Sequence, residues 1–193
     1  MDTTTVSIQK AFDWMELENG EGVLKPEEHC PTRDIFQTRL DRMFREMENS
    51  PQLYQKVALL TAVTGELGNN SFDHNLGKWP DVPGVFFGYD INKRHIVLAD
   101  CGLGVLETLR HVRPTLANHV EAVQVAFNEI ISGRAPEKRG NGLKFVRKVV
   151  IANPIDLFFA SGDAEVRIKA PVKTFNLTRG QEVLRGCFAI IQF

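Results

Sequence analysis

The stretch GVFFGYDINKRHIVLAD, residues 84–100, decides the fold class. Residues 84–90 and 94–100 are rich in Val, Ile, Phe and Tyr, and Ile91, Asn92 and Lys93 lie between them. Two such runs around a short polar break predict a β-hairpin. Upstream, Ile35, Phe36, Leu40, Met43, Phe44 and Met47 recur at helical spacing and predict a helix over 33–49. Ser50 breaks it, and Pro51 at a first helical position predicts a second helix over 51–75, ending at Gly77. Downstream, helices are expected over 115–132 and over 143–152, the latter with Leu143, Val146, Val149 and Val150 inward. Strands are expected at 155–160, 165–170 and 187–193. Helices, hairpin, helices and strands in that order indicate an α+β protein rather than a Rossmann-type alternation. The expected form is a two-layer sandwich whose mixed, mostly antiparallel sheet is covered on one face by helices.

The 193 residues fit one domain with an extension. Residues 1–50 are read as an N-terminal extension and a helix packing on the domain, and residues 51–193 as the domain itself. Residues 1–30 are the least regular part; a short strand or helix and then a loop are expected there.

Hydrophobic residues make up 43% of the chain, enough for a core of ordinary size. A net charge of −1 carries no basic excess, which excludes broad attraction to nucleic acid or to anionic lipid. Cys30, Cys101 and Cys187 are odd in number and form no CxxC pair, which argues against a disulfide framework or a zinc site and fits a reducing compartment. The start MDTTTVSIQK lacks the pattern of a signal peptide, and no apolar stretch is long enough to span a bilayer. The expectation is a cytoplasmic protein with neither membrane nor nucleic acid as partner.

Three stretches carry chemistry. On the predicted second helix, Glu66, Asn70 and His74 stand at i, i+4 and i+8 and share one face, which Leu59 and Val63 continue toward the N-terminus. Polar side chains on an inward stripe need partners or a cleft. Asn70 offers a neutral oxygen of the kind Mg²⁺ prefers, and Glu66, one turn away, can take a proton from an attacking hydroxyl. His74 can donate to a phosphate or simply pack. Second, the strand ending at Asp100 runs into the DxGxG turn Asp100–Gly104, where a carboxylate can accept from an adenine amino group and Gly102 and Gly104 let backbone approach the base. Third, Arg139, Gly140, Asn141, Gly142 and Leu143 open a helix; a glycine turn there presents free N–H groups and a favourable dipole to phosphates. Arg134, Lys138 and Arg139 can add charge. This is not a Walker A loop, because no Lys-Ser/Thr follows Gly142. Each stretch alone has a bland alternative: a solvated helix end, an ordinary turn, a flexible loop.

Together, in this order, the three resemble the nucleotide-binding boxes of the GHKL superfamily, which includes gyrase and the sensor histidine kinases. Glu66-x-x-x-Asn70-x-x-x-His74 is similar to the Asn box of anti-sigma-factor serine kinases, and RGNGLKFVRKVV to the second glycine box of sensor kinases. The resemblance covers about residues 53–193. It implies a Bergerat fold binding ATP and Mg²⁺, with Asn70 on the metal, Asp100 on adenine, Gly102 and Gly104 shaping the base pocket, and Gly140 and Gly142 at the phosphates. It further implies that residues 105–139 form the ATP lid and that Glu66 is the general base if hydrolysis occurs. The family's Phe-rich box has no clear counterpart; Phe127 is the residue able to pack in its place. His29, His95, His111 and His119 are read as structural or surface residues, so no phospho-accepting histidine is assigned. The expected function is slow ATP hydrolysis or phosphoryl transfer to a protein partner in signalling. The alternative is a non-catalytic, nucleotide-gated interaction module. Helix 33–49 is expected to pack on the domain, with a homodimer contact as its minority role.

Overall fold

In the computed structural model the chain is described over residues 3–17, 24–129 and 142–193. The elements run α1 (Thr3–Glu16), β1 (His29–Cys30), α2 (Arg33–Glu48), α3 (Val57–Asn75), β2 (Val85–Asp90) and β3 (His95–Asp100). They continue with α4 (Gly104–Arg110), α5 (His119–Asn128), α6 (Gly142–Ala152), β4 (Asp156–Ile168) and β5 (Asn176–Gln192). The fold is α+β. Its sheet has the order β1-β2-β3-β5-β4, and every pairing is antiparallel. No helix among the described residues is long and apolar enough to cross a membrane.

Thr32 starts α2: its side chain accepts from Ile35 N, which satisfies one of the free donors of the first turn. Phe36, Leu40, Met43 and Met47 then face inward, as their spacing predicts. α3 begins six residues later than expected. Residues 51–56 form turns tied by Leu53 N to Ser50 O (2.9 Å) and Lys56 N to Leu53 O (2.7 Å), with Leu53 buried. Pro51 therefore starts the turn that feeds the helix rather than the helix itself.

The expected hairpin is β2–β3, in register from Val85 opposite Asp100 to Asp90 opposite His95. The single helix expected over 115–132 is shorter. Asn118 caps α5 by accepting from Glu121 N at 2.9 Å, and Glu129 is already extended. A separate short helix, α4, starts at Gly104 itself. Phe127 is fully buried against Phe159 and Phe175.

At the end of the chain the break expected between 160 and 165 is a bend inside β4. A straight strand would separate residues 156 and 170 by about 45 Å. Instead Asp156 Oδ1 accepts from Ala170 N at 3.1 Å, and Arg167 lies over the Phe158 ring. Gly162, with φ +60°, sits between two register shifts and makes this doubling back possible.

The main core lies between the sheet and α2–α6, with Phe36, Leu60, Ile96, Val150, Ile155 and Ile191 fully buried. The expectation of helices on one face is incomplete. α1 packs on the opposite face, where Trp14 and Met15 cover Phe86, Val97, Ala99 and Phe188. Those strand residues alternate with the ones facing the main core, so both faces of β2, β3 and β5 are apolar and both need cover.

Candidate functional site

The site is built on α3. Its buried stripe carries Leu60, Thr64 and Leu67 and then Ser71 and Asn75 at the C-terminal end. Ser71 Oγ donates to Asp100 Oδ2 at 2.6 Å, across the layer to the end of β3. Asp100 Oδ1 accepts from Gly102 N at 2.9 Å, and the carboxylate also takes a backbone hydrogen bond from Cys187. Asp100 is 1% exposed, and burial pushes its pKa up against the lowering effect of those three donors. An ionised carboxylate has about four lone-pair sites, so three donors leave one acceptor site for an incoming amine.

The turn after Asp100 is fixed from two sides. Asn75 Oδ1 accepts from Leu103 N at 2.8 Å, and its Nδ2 donates to Ser71 O at 2.8 Å. Gly102 lies so close to the Asn75 amide that no Cβ would fit there. On the other side, buried Ser161 donates to Gly186 O (2.9 Å) and accepts from Val105 N (3.0 Å), which anchors the start of α4 to the bent end of the sheet. Gly104 and Gly186 both have positive φ, and Gly186 passes directly over the Asp100 backbone.

One turn earlier on α3, Glu66 and Asn70 meet the first residue of α6. A Cβ on Gly142 would stand 2.7 Å from Glu66 Oε2 and 3.0 Å from Asn70 Nδ2. The absent side chain leaves a cradle lined by a carboxylate and a carboxamide, next to the N-terminus of an 11-residue helix. Leu143 is half-buried against the core. His74 is half-buried; burial pushes its pKa down, so its ring is neutral near pH 7. Its Nδ1 is buried with no hydrogen-bond partner among the described residues.

Of the residues singled out from sequence, Glu66, Asn70 and Gly142 come together, and Asp100, Gly102 and Gly104 form one turn against the same helix. Arg134, Lys138, Arg139, Gly140 and Asn141 lie outside the described residues. Ser71, Asn75, Ser161 and Gly186 were not singled out. Ser71 and Asn75 had a readable signal, a polar i, i+4 pair on the apolar stripe of α3. Gly186 and Ser161 had none, because their roles depend on β5 crossing Asp100. His119, expected at the surface, is held by Asp163: Nδ1 is 3.1 Å from Asp163 Oδ1, and Arg179 Nε is 3.1 Å from Asp163 Oδ2.

The donor set fits Mg²⁺. The cradle offers two kinds of oxygen, the Glu66 carboxylate and the Asn70 carbonyl, beside the non-ligating Asn70 amide nitrogen, and among the described residues no group of three or more His, Cys, Asp or Glu forms a metal cage. Mg²⁺ in nucleotide sites is held by one or two protein oxygens together with phosphates and water. No protein-family model matches the chain, and no curated protein matches its sequence.

Proposed function

We propose that this chain is a GHKL-type ATP-binding protein that hydrolyses ATP slowly or passes its γ-phosphoryl group to a protein partner. The observation carrying this reading is the meeting of three sequence-distant segments along α3: Glu66 and Asn70 at Gly142, Ser71 and Asn75 at the Asp100 turn. Asp100 would accept from the adenine amino group through its remaining lone-pair site. Asn70 would hold Mg²⁺ through its carbonyl oxygen, and the ion supplies charge neutralisation at the phosphates. Glu66 is the group positioned to take the proton of the attacking hydroxyl, whether water's or a partner serine's. The unsatisfied Nδ1 of His74 would be met by ligand or by ordered water. Three free cysteines, two of them buried, fit a cytoplasmic setting.

Calorimetric titration of ATP with and without Mg²⁺ tests this reading. Wild type should bind in a magnesium-dependent way, and Asp100→Asn should lose binding. Asn70→Ala should remove the magnesium dependence, whereas Glu66→Ala should bind normally and turn over more slowly. A wild-type protein that binds no ATP would overturn the proposal; full turnover by Asn70→Ala would remove the metal assignment.

A further inference from the structure

Four hydrogen bonds close a ring around Asp100. Asn75 Oδ1 takes Leu103 N, Gly102 N from the same turn donates to Asp100 Oδ1, Ser71 Oγ donates to Asp100 Oδ2, and Asn75 Nδ2 returns to Ser71 O. Asn75 is 3% exposed and uses both ends of its amide, one on the helix and one on the turn. Its amide also fills the space where a Cβ on Gly102 would stand, so the turn rests directly on it.

From this ring we infer that Asn75 is the positioning residue that aims the Asp100 carboxylate, and so sets the preference for a 6-amino purine. The inference rests on the nucleotide reading of Asp100. Asn75 itself touches only backbone: its acceptor fixes Leu103, and its donor fixes its own amide plane. The rotation of Asp100 follows from its three donors: Gly102 N on Oδ1 and Ser71 Oγ on Oδ2, both tied to Asn75, and the Cys187 backbone, which is not. Were Asn75 lost, the Leu103 N–H would be left without its acceptor and the turn would shift away from α3. The one free lone-pair site of Asp100 would then no longer point at a fixed place. The penalty falls on a ligand that donates to that site and spares one that does not.

The test compares Mg-ATP with the Mg²⁺ complex of purine riboside triphosphate, which lacks the 6-amino group, in wild type, Asn75→Ala and Asn75→Asp. Asn75→Asp keeps the size but sets an oxygen against Ser71 O, and that repulsion turns the group out of the plane that holds Leu103 N, so it carries the same readout if the alanine variant folds poorly. Wild type should prefer ATP by about tenfold or more, the usual value of a hydrogen bond to a charged group. In both variants the ratio should shrink to about threefold or less while the analogue's own affinity changes by less than about twofold. Equal losses for both ligands would mean that Asn75 is merely structural, and an unchanged ratio would mean that it does not act on Asp100; either overturns the inference. Absence of ATP binding by wild type would remove the nucleotide reading itself, a different failure from an unchanged ratio.

Discussion

Gly142 and Gly186 show how two glycines in one site answer to different physics. A Cβ on Gly142 meets the tips of two long side chains, Glu66 and Asn70, which can swing away. A Cβ on Gly186 meets the backbone of Asp100, which cannot, and Gly186 also has φ +70°. Gly142→Ala should therefore keep stability within about 1 kcal/mol, helped by alanine's better helix propensity, yet weaken Mg-ATP binding by displacing Glu66 and Asn70. Gly186→Ala should cost roughly 3 kcal/mol. Urea denaturation with ATP titration on both variants checks the pair; a Gly142→Ala protein with wild-type binding would contradict the role given to the cradle. Asp100 supplies a pH prediction. Its folded pKa is raised above the ordinary 3.8, so its contribution to stability is fully present below 3.8 and lost as pH rises through the raised value. From pH 4 upward the wild-type urea midpoint should fall relative to Asp100→Asn. Binding runs the other way: only the carboxylate form accepts an amino proton, so ATP affinity should drop as pH falls through that same raised value. At this scale Asp100, Asn70 and Glu66 were legible because their residue types stand at fixed local spacings. Ser161 and Gly186 were not, because nothing local marks a serine or glycine whose partner is 25 or more residues away.

β4 is where local reading and tertiary structure divide. The sequence places strands at 155–160 and 165–170, and the interval Ser161-Gly162-Asp163 reads as a break. The chain instead bends there without leaving the sheet, because Gly162 takes φ +60° and the register shifts on either side absorb the extra residues. The His119 ring then lies over Gly162, occupying the space a Cβ would need, and Asp163 holds that ring while Arg179 holds Asp163. This pins the N-terminus of α5 to the bend. The ion pairs are partly exposed and contribute little, so His119→Ala should cost no more than about 1 kcal/mol. Gly162→Ala carries both the backbone strain and the collision with the ring, and should cost about 2 kcal/mol. In a His119→Ala background the collision vanishes, so the same glycine substitution should cost measurably less. Strict additivity in that double-mutant cycle would show that ring and glycine do not oppose one another. The late start of α3 has a similar origin: proline preference at a first helical turn is shared by ordinary turns, and only the hydrogen bonds of Leu53 and Lys56 separate the two.

At the scale of the molecule, the unreadable part was the N-terminus, and the reason lies in the sheet. Residues 85–87 and 96–99 are apolar at every position, and β3 is buried along its whole length. A continuous apolar run is what a strand covered on both faces looks like, so the sheet required a second layer that the helices after residue 33 do not supply. α1 supplies it. Trp14 is 1% exposed on that face, the Cys101 thiol lies toward the Trp14 carbonyl, and Lys10 pairs with Glu28 at 2.6 Å where the chain returns to the sheet. This layer is thinner than the other, since among the described residues one helix faces five. Much of its stability therefore depends on one large side chain. Trp14→Ala should cost about 3–5 kcal/mol, the usual range for removing a buried tryptophan. If α1 then lifts from the sheet, Phe86, Val97 and Phe188 form an exposed apolar patch, and the variant should bind a hydrophobic dye and self-associate at concentrations where wild type does not. The proposed nucleotide site lies on the opposite face of the sheet, so ATP affinity measured below the association threshold should stay within about twofold of wild type, as expected for distant, independent sites. A large loss of ATP affinity in this variant would mean that α1 and the Asp100 turn are coupled, with Cys101, which follows Asp100 in the chain and packs on the α1 side, as the nearest link.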